Sequence, residues 1–374
     1  MRILVSGGGM AGLSAGINLG AAGHDVTIVE RANHLRVNGS PIDIRGDSLA
    51  FAEKMGVLDE LRARRVDMSE RSCFVDENGD LVAPLPIDDI NDSLDDVEIP
   101  REDLAHVLCN AVSPSVTLTF DESIAELSDD GRGVDVHFAS GGRQRYDLVV
   151  GADGMHSATR RMMFGPEEQY LRHLGCYVAL AQLPDRIETG SANPIYNFPG
   201  HLAGIVEYHR KSAAVLMFRA PWIDYDYHDL DAQKQILAEA FAGHAEWKIP
   251  ELIDAARRDP DLYFDSVSQI EMPSWHIGRV VLIGDAAHCA SPLSGRGTSL
   301  AITGTWLLAQ ALSDHPDDLE TAFAQYERDQ RPHVIYAQGT AAPGGDELVP
   351  ATQEAIDARD QLLSASPLTP TPGG

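Results

Sequence analysis

Basic residues are scarce in this sequence, and their scarcity excludes several functions at the outset. The chain of 374 residues has 29 Lys and Arg against 57 Asp and Glu, which gives a formal net charge of −28. A nucleic-acid-binding protein needs a cationic face, and an anionic membrane surface would repel such a chain. Since 44% of the residues are hydrophobic, a disordered chain is excluded as well. The length is that of about two domains.

Cysteine and long apolar runs are also rare. The four cysteines (Cys73, Cys109, Cys176 and Cys289) include no CxxC pair, so we expect neither a metal site nor a dithiol redox motif. Sparse cysteine fits a reducing cytosol, and we expect a cytoplasmic protein. No apolar run approaches the about 18 residues of a membrane span, and the short run over residues 3–5 predicts no secretory leader.

Part of the acidic surplus is concentrated in one segment. Residues 88–98 contain no base and carry the acids Asp88, Asp89, Asp92, Asp95, Asp96 and Glu98. Such a run is usually a solvated loop, and we favour this interpretation over a functional acidic patch.

The first motif lies at the start of the chain. Residues 3–6 (ILVS) predict a buried strand, residues 7–12 (GGGMAG) are a G-x-G-x-x-G turn, and residues 13–22 predict a helix. A second strand over residues 26–29 (VTIV) ends at Glu30. Strand, glycine turn, helix, strand and acid together are typical of a dinucleotide site, although the same turn also occurs as a purely structural βαβ connection.

Each part of this motif has a physical reason. Gly7 permits the tight turn, Gly9 lets the backbone approach a pyrophosphate, and Gly12 lets the helix pack close to the strand. The helix N-terminus offers unpaired N–H groups to the phosphates. Glu30 accepts hydrogen bonds from ribose hydroxyls and disfavours a 2′-phosphate, so we expect FAD or NAD rather than NADP as the tightly held nucleotide. The expected contacts are Gly7, Gly9, Met10, Ala11, Gly12, Glu30 and Arg31.

Two further motifs follow later in the chain. Residues 146–151 (YDLVVG) predict a strand that leads into the pair Asp153-Gly154, with Ser157 placed to cap a short helix. Residues 280–288 (VVLIGDAAH) predict another strand, and the loop 295–299 (GRGTS) opens an Ala/Leu-rich helix. We expect Ser157 and Arg160 to support the fold, and His288 to support the loop.

With three such segments in this order, the sequence resembles the class A FAD-dependent aromatic monooxygenases, the family with the para-hydroxybenzoate hydroxylase fold. The resemblance spans residues 3 to about 310. Within the family, the sequence is similar in style to the tetracycline-inactivating and polyketide-tailoring branch. It implies that Arg101, in an R-x-x-L stretch, lies beside the FAD, and that Asp153 contacts both FAD and the nicotinamide nucleotide. It implies further that Asp285 holds the ribityl chain. The residues it places against the isoalloxazine ring are Pro292, Gly295, Gly297, Thr298 and Ser299.

Catalytic side chains are not marked by a motif. Arg296, in a position that is often uncharged in the family, would add positive potential near reduced flavin or an anionic substrate, or would point outward. Arg45 lies where a second loop of the family approaches the active site. An acid or base that ionises a phenolic substrate is expected among His, Tyr or Asp. The candidates by position are Tyr196, His201 and His209, with Phe218 as an apolar wall.

The motifs are separated by long insertions, so we expect an α/β protein whose domains are interleaved. A Rossmann-like FAD-binding domain would comprise residues 1–71, 99–170 and 268–374. A smaller α+β substrate domain with an antiparallel sheet would comprise residues 72–98 and 171–267, where short apolar runs alternate. Helices are predicted over about 231–242, 297–312, 319–330 and 352–364.

The resemblance implies that NAD(P)H reduces the FAD, that O2 adds at flavin C4a, and that the hydroperoxide transfers oxygen to a small aromatic or polycyclic substrate. NAD(P)H would bind transiently, which fits the single G-x-G-x-x-G motif. The alternatives are a flavin-dependent reductase or dehydrogenase and a non-catalytic, flavin-bound helper protein. A halogenase is disfavoured, because residues 247–250 (WKIP) keep half of its W-x-W-x-I-P motif and Ala245 replaces the first Trp. Whether the protein is a monomer or a dimer is open.

Overall fold

The structure, a computed structural model, describes residues 1–35, 40–67, 69–85, 92–183, 192–209 and 211–365. Its helices are α1 (Met10–Ala21), α2 (Ser48–Lys54), α3 (Leu58–Ala63), α4 (Arg101–Ala111), α5 (Ala158–Phe164), α6 (Leu230–Ala240), α7 (Ile249–Arg258), α8 (Asp285–His288), α9 (Gly297–Asp314), α10 (Leu319–Leu348) and α11 (Gln353–Ala365). Its strands are β1 (Arg2–Ser6), β2 (Asp25–Val29), β3 (Ile42–Ile44), β4 (Ser72–Val75), β5 (Leu81–Pro84), β6 (Val97–Ile99), β7 (Thr117–Thr119), β8 (Ile124–Asp129), β9 (Val134–Phe138), β10 (Arg143–Tyr146), β11 (Leu148–Gly151), β12 (Leu171–Gln182), β13 (Asn193–Phe198), β14 (His201–Tyr208), β15 (Lys211–Arg219), β16 (Tyr263–Ile270), β17 (His276–Ile277) and β18 (Val280–Leu282).

A mainly parallel sheet organises the first, second and third motifs. Its strand order is β17-β18-β11-β1-β2-β7, with β17 as the antiparallel edge. Ser6, the last residue of β1, stands beside Gly151 of β11 and Val29 of β2, and Gly151 stands beside Leu282 of β18. Because parallel strands in register end at one edge, all the motif segments that follow these strands meet there.

A second sheet carries the β-rich insertions. Its order is β16-β12-β15-β14-β13-β4-β5, and its pairs are antiparallel except for β13 with β4. Helices α6 and α7 pack on one face, where Phe241 and Leu252 join a core with Leu216 and Phe264. The opposite face contributes Leu202 to a cluster that includes residues beyond this sheet. Since side chains alternate along a strand, neighbouring residues serve different faces.

The predicted α/β class, with a Rossmann-like parallel sheet beside an antiparallel sheet, is confirmed. The four predicted helices match α6, α9, α10 and α11, although α10 runs well past the predicted end at Gln330. Strand β6 pairs with β3 instead of joining the large sheet, so it crosses the expected boundary at residues 98 and 99. The meander β8–β9–β10 was not predicted. Among the described helices, none is long and apolar enough to cross a membrane.

Candidate functional site

The first glycine turn leaves an open space in front of helix α1. Gly7 has φ +107°, and a Cβ there would lie 2.5 Å from the carbonyl oxygen of Ala152. A Cβ at Gly12 would lie 1.9 Å from the Gly7 carbonyl oxygen, whereas a Cβ at Gly9 would meet no atom within 4 Å. No side chain caps the N-terminus of α1. An anion that occupies the space beyond Gly9 would therefore meet uncapped backbone N–H groups.

Glu30 closes this turn from the end of β2. One carboxylate oxygen accepts a hydrogen bond from the Gly8 N–H at 2.8 Å, and the other accepts one from the Ala32 N–H at 2.9 Å. The side chain is 9% exposed. A carboxylate has about four acceptor sites, so Glu30 retains capacity for a ribose hydroxyl. Arg31, the next residue, is exposed.

The D-G segment is held by its own side chains. Asp153 accepts hydrogen bonds from the Ser157 hydroxyl and from the backbone and side chain of Thr159, at 2.9 and 3.0 Å for Thr159. Ser157 caps α5 by accepting the Arg160 N–H, as predicted from the sequence. The Arg160 side chain is fully buried and donates to the Ala286 carbonyl at 2.9 Å. The second and third motifs are thus joined by an internal arginine, which agrees with a supporting role for Arg160.

The third motif places an exposed carboxyl group beside the first motif, at the open edge of the parallel sheet that we call the cleft. Gly284 turns with φ +56°, and a Cβ there would lie 2.8 Å from the side chain of Ala11, so the first and third motifs touch. Asp285 follows and is exposed to the cleft. The surrounding protein raises the pKa of Asp285 by desolvation, and the positive charge of Arg101 opposes that rise. Arg101 is exposed at the start of α4.

The glycine loop of the third segment opens helix α9 toward the same cleft. Gly295 has φ +60°, and no side chain caps the N-terminus of α9, which begins at Gly297. A Cβ at Gly297 would lie 3.9 Å from an oxygen of Asp285. The Ser299 hydroxyl accepts the Arg45 N–H at 2.9 Å. Pro292 is exposed, whereas Thr298 is half-buried.

Arg45 lies directly against this loop. A Cβ at Gly295 would come within 3.1 Å of its guanidinium, and the side chain is 5% exposed. Its guanidinium pairs with Asp43 at 2.6 Å. Burial raises the pKa of Asp43, although Arg45 counteracts the effect. Arg45 therefore lies beside the glycine loop, and its charge is partly compensated.

Arg296 is compensated by the acidic run. Its guanidinium forms two hydrogen bonds with the Asp92 carboxylate and lies 4.7 Å from the ring centre of Tyr336. These hydrogen bonds lower the pKa of Asp92 and raise that of Arg296. The Arg296 side chain is 11% exposed, so it does not point outward into bulk solvent.

The interpretation of residues 88–98 as a solvated loop is wrong for two of its acids, whereas Asp92 is exposed although it is paired with Arg296. Asp96 is buried and accepts the N–H groups of Gly46 and Asp92 at 3.0 and 2.8 Å. Glu98 is buried and accepts hydrogen bonds from Ser69. Asp88 and Asp89 lie outside the described residues.

The candidates on the second sheet are mostly on the wrong face for a cofactor contact. Tyr196 and Phe218 belong to the core under α6 and α7, and His201 bonds to the Ala240 carbonyl of α6 at 3.0 Å. The face that meets the glycine-loop segment is the other one, where Leu202 packs in a cluster with Leu293. The candidates Tyr196, His201 and Phe218 therefore pack on the face of the sheet that is turned away from the glycine loop.

His209 and the free cysteines lie elsewhere. His209 lies at the turn between β14 and β15, with its Nε2 3.4 Å from the Asp103 carboxylate of α4, and is exposed. Burial raises the pKa of Cys289 well above that of an ordinary thiol, so it is protonated rather than nucleophilic. No cluster of metal-ligating side chains occurs in the described part of the chain.

His156 was not predicted as a site residue, yet it occupies a central position. Its Nδ1 lies 2.7 Å from Glu167 and its Nε2 lies 3.2 Å from Asp265 of β16, and Tyr227 stacks on its ring at 4.1 Å. Although burial opposes protonation, the hydrogen bonds to Asp265 and Glu167 raise the pKa of His156 to about 9. A protonated histidine therefore links the D-G segment to the second sheet. Only its place two residues after Gly154 marked it in the sequence.

Comparisons with known proteins agree with this geometry. A family model described as FAD binding domain matches residues 1–173 and 264–336. The chain is 37% identical to an uncharacterized protein of Mycobacterium tuberculosis, over 95% of this chain and 96% of that one. It is 34% identical to a flavin-dependent monooxygenase of an unknown prokaryotic organism, over 89% and 86% of the two chains. The crystal structure of the tetracycline destructase Tet(55) is similar with a TM-score of 0.83 and 32% identity, over 97% of this chain and 94% of that chain.

Proposed function

The chain belongs to the flavin-dependent monooxygenases that have this FAD binding domain, and from that premise we propose that it hydroxylates an aromatic or polycyclic, polyketide-like small molecule with NAD(P)H and O2. The observation that carries the proposal is the apolar sheet face directly against the Pro292–Ser294 turn. Val178, Leu202 and Met217 of this face form one cluster with Leu293. The sheet therefore packs directly on the loop assigned to the flavin ring, and an apolar layer beside the ring suits a large, flat, apolar substrate.

The motif residues would hold the cofactor along the edge of the parallel sheet. The proposed contacts with the pyrophosphate and adenosine are those of the first motif, Gly7, Gly9, Met10, Ala11, Gly12, Glu30 and Arg31. Arg101, Asp153 and Asp285 would contact the middle of the cofactor, and the loop from Pro292 to Ser299 its ring. The open space beyond Gly9 and the uncapped helices α1 and α9 fit these roles.

When bound, FAD supplies the oxygen activation that no amino-acid side chain provides. The chain positions and shields this chemistry. The uncapped N-terminus of α9 stabilises negative charge near the ring, by about 0.3–2 kcal/mol at a helix terminus. The apolar sheet face excludes water, which protects reactive species from unproductive decay. Arg45 and Arg296 flank the same loop and are the proposed contacts for an anionic oxygen of the substrate.

NAD(P)H is the proposed reductant and would bind transiently, because the sequence has one G-x-G-x-x-G motif and we assign it to FAD. The relatedness to a tetracycline destructase supports a polycyclic substrate with several ring oxygens, such as a phenol or an enol. We place the enzyme in the cytoplasm as part of the proposal and leave open whether it acts as a monomer or a dimer.

The test is substrate-stimulated oxidation of NADPH and NADH under 18O2, with a panel of phenols and polycyclic aromatic ketones. The proposal predicts that at least one compound accelerates oxidation and that its product carries the label. Oxidation that is stimulated without label in the product would favour a reductase. The absence of any stimulation across the panel would favour a flavin-bound helper protein.

A further inference from the structure

Strand β16 forms one edge of the second sheet, and its residues alternate between two environments. Phe264 is buried in the core under α6 and α7. Tyr263 and Asp265 flank it in the sequence and therefore project from the other face. On that face Asp265 lies 3.2 Å from His156, which follows the D-G pair. This face of β16 is thus turned toward the motif segments and their cleft.

Tyr263 projects toward the cleft, and its hydroxyl and ring make no specific contacts with other described residues. Its side chain is 42% exposed, although it belongs to the same strand as the fully buried Val267. Among the described residues, the Tyr263 hydroxyl has no hydrogen-bond partner and its ring has no aromatic neighbour, in contrast to Tyr177 on the neighbouring strand β12. A large side chain that is open to a cleft and has no protein partner is free to serve a ligand.

The charges around Tyr263 identify what kind of ligand fits. Desolvation of the hydroxyl by the surrounding protein raises the pKa of Tyr263 far above its usual range, so the hydroxyl is a donor at any working pH. Arg101 and Asp285 both lie close enough to act on this hydroxyl electrostatically. They are two of the three residues proposed to contact the middle of FAD. A donor, a cation and a carboxylate together suit the hydroxyl-rich ribityl chain and the pyrophosphate.

We propose that Tyr263 is a cofactor-contact residue that donates a hydrogen bond to the ribityl–pyrophosphate part of FAD. The second sheet then forms part of the cofactor site, and FAD binding ties its edge strand to the parallel sheet. No glycine or acid motif marks this contact, because it comes from a strand outside the three motif segments. The proposal depends on FAD binding alone and is independent of the substrate or of turnover.

The test is FAD affinity of the apoprotein, measured by titration of FAD fluorescence. Tyr263→Phe removes only the hydroxyl, and we expect about two- to tenfold weaker binding, the size of one hydrogen bond. The melting temperature of the apoprotein should be unchanged, while the increase on adding FAD should be smaller than in the wild type. Tyr196→Phe is the matched control, because its ring lies on the opposite face of the same sheet.

The control should bind FAD with wild-type affinity. Wild-type affinity in Tyr263→Phe would overturn the proposal. So would an equal loss of affinity in Tyr196→Phe, since the effect would then be general to the sheet. A lower melting temperature of the Tyr263→Phe apoprotein with an unchanged increase on adding FAD would assign the hydroxyl a purely structural role and would also overturn it.

Discussion

The open space beyond Gly9 allows a substitution that separates cofactor binding from folding. Gly9 has φ −75° and ψ −169°, which any L-residue adopts without strain, and a Cβ there meets no protein atom within 4 Å. Gly9→Ala therefore places a methyl group in the space assigned to the FAD phosphates and nowhere else. The apoprotein should fold normally with this substitution, but it should bind FAD more weakly.

The expected magnitudes differ for the two states. In the apoprotein, Ala in place of Gly stabilises by about 0.4–1 kcal/mol because the unfolded chain loses entropy. Ala at an N-cap costs a similar amount, about 0.5–1 kcal/mol relative to Gly, so the net change should be near zero. A displaced phosphate loses at least one charge-assisted hydrogen bond, about 1.5–3 kcal/mol, which corresponds to about 10- to 150-fold weaker FAD binding.

Two glycines provide matched controls. A Cβ at Gly12 would lie 1.9 Å from the backbone oxygen of Gly7, so Gly12→Ala should destabilise the apoprotein as well as weaken FAD binding. Gly339 is open and exposed in helix α10, so Gly339→Ala should stabilise the apoprotein by up to about 1 kcal/mol and leave FAD binding unchanged.

The measurements are urea unfolding of each apoprotein and titration with FAD. If Gly9→Ala bound FAD as tightly as the wild type, the cofactor phosphates would not lie in front of helix α1. If it lowered the free energy of unfolding by more than about 2 kcal/mol, the space beyond Gly9 would not be open. Either result would refute the placement of the pyrophosphate.

Three further predictions concern charge. Because folding raises the pKa of His156 from 6.5 to about 9, its contribution to stability is complete below pH 6.5 and is lost as the pH rises through 9. Urea unfolding from pH 6 to 10 should show this decline in the wild type and not in His156→Gln; equal slopes would contradict it. Arg296→Gln should lower the FAD reduction potential and Asp92→Asn should raise it, each by on the order of 20 mV, the equivalent of about 1 kcal/mol for two electrons. Unchanged potentials in both variants would remove Arg296 from the flavin environment. The KM for NAD(P)H should fall as salt rises to about 0.2 M, because salt screens the repulsion by the −28 net charge, and a steady rise would contradict this.

The cofactor side of the fold was predictable because its signals are local. The turn at Gly7, the acid at Glu30 and the acid at Asp285 each follow a short apolar strand, and parallel pairing brings such strand ends together. Each residue type is fixed by backbone geometry or by the chemistry of a phosphate or ribose. The sequence therefore contains both the strand-and-turn pattern of each motif and the residue types that the pattern requires.

The substrate side was less predictable because it depends on strand register. A shift of one residue exchanges the two faces of a strand, and apolar residues occur on both faces of β13, β14 and β15. Tyr196 was therefore named as a candidate by position, although it packs under helices α6 and α7. The position of the glycine-loop residue Leu293 decides between the faces, and this is a tertiary contact.

The length of helix α10 also depends on tertiary packing rather than on local sequence. Pro332 predicts an end to the helix, because proline removes one hydrogen bond and costs about 3 kcal/mol in a helix interior. The helix continues to Leu348, since Val334, Ala337 and Ala341 bury their side chains beyond it. The end of the helix also lies close to the glycine-loop segment. A Cβ at Gly344 would come within 2.8 Å of the Leu293 carbonyl oxygen. Packing next to the site thus outweighs the local propensity.

The net charge of −28 requires a source of positive potential in the cleft, and the arginines supply less of it than their number suggests. Arg45 is paired with Asp43, and Arg296 is paired with Asp92. Each pair contributes little net charge to a cofactor at a distance. The helix N-termini of α1 and α9 have no such compensation, because no side chain caps either of them. We therefore expect backbone dipoles aimed at the cleft, together with Arg101, to provide most of the field that holds an anionic cofactor in an acidic protein.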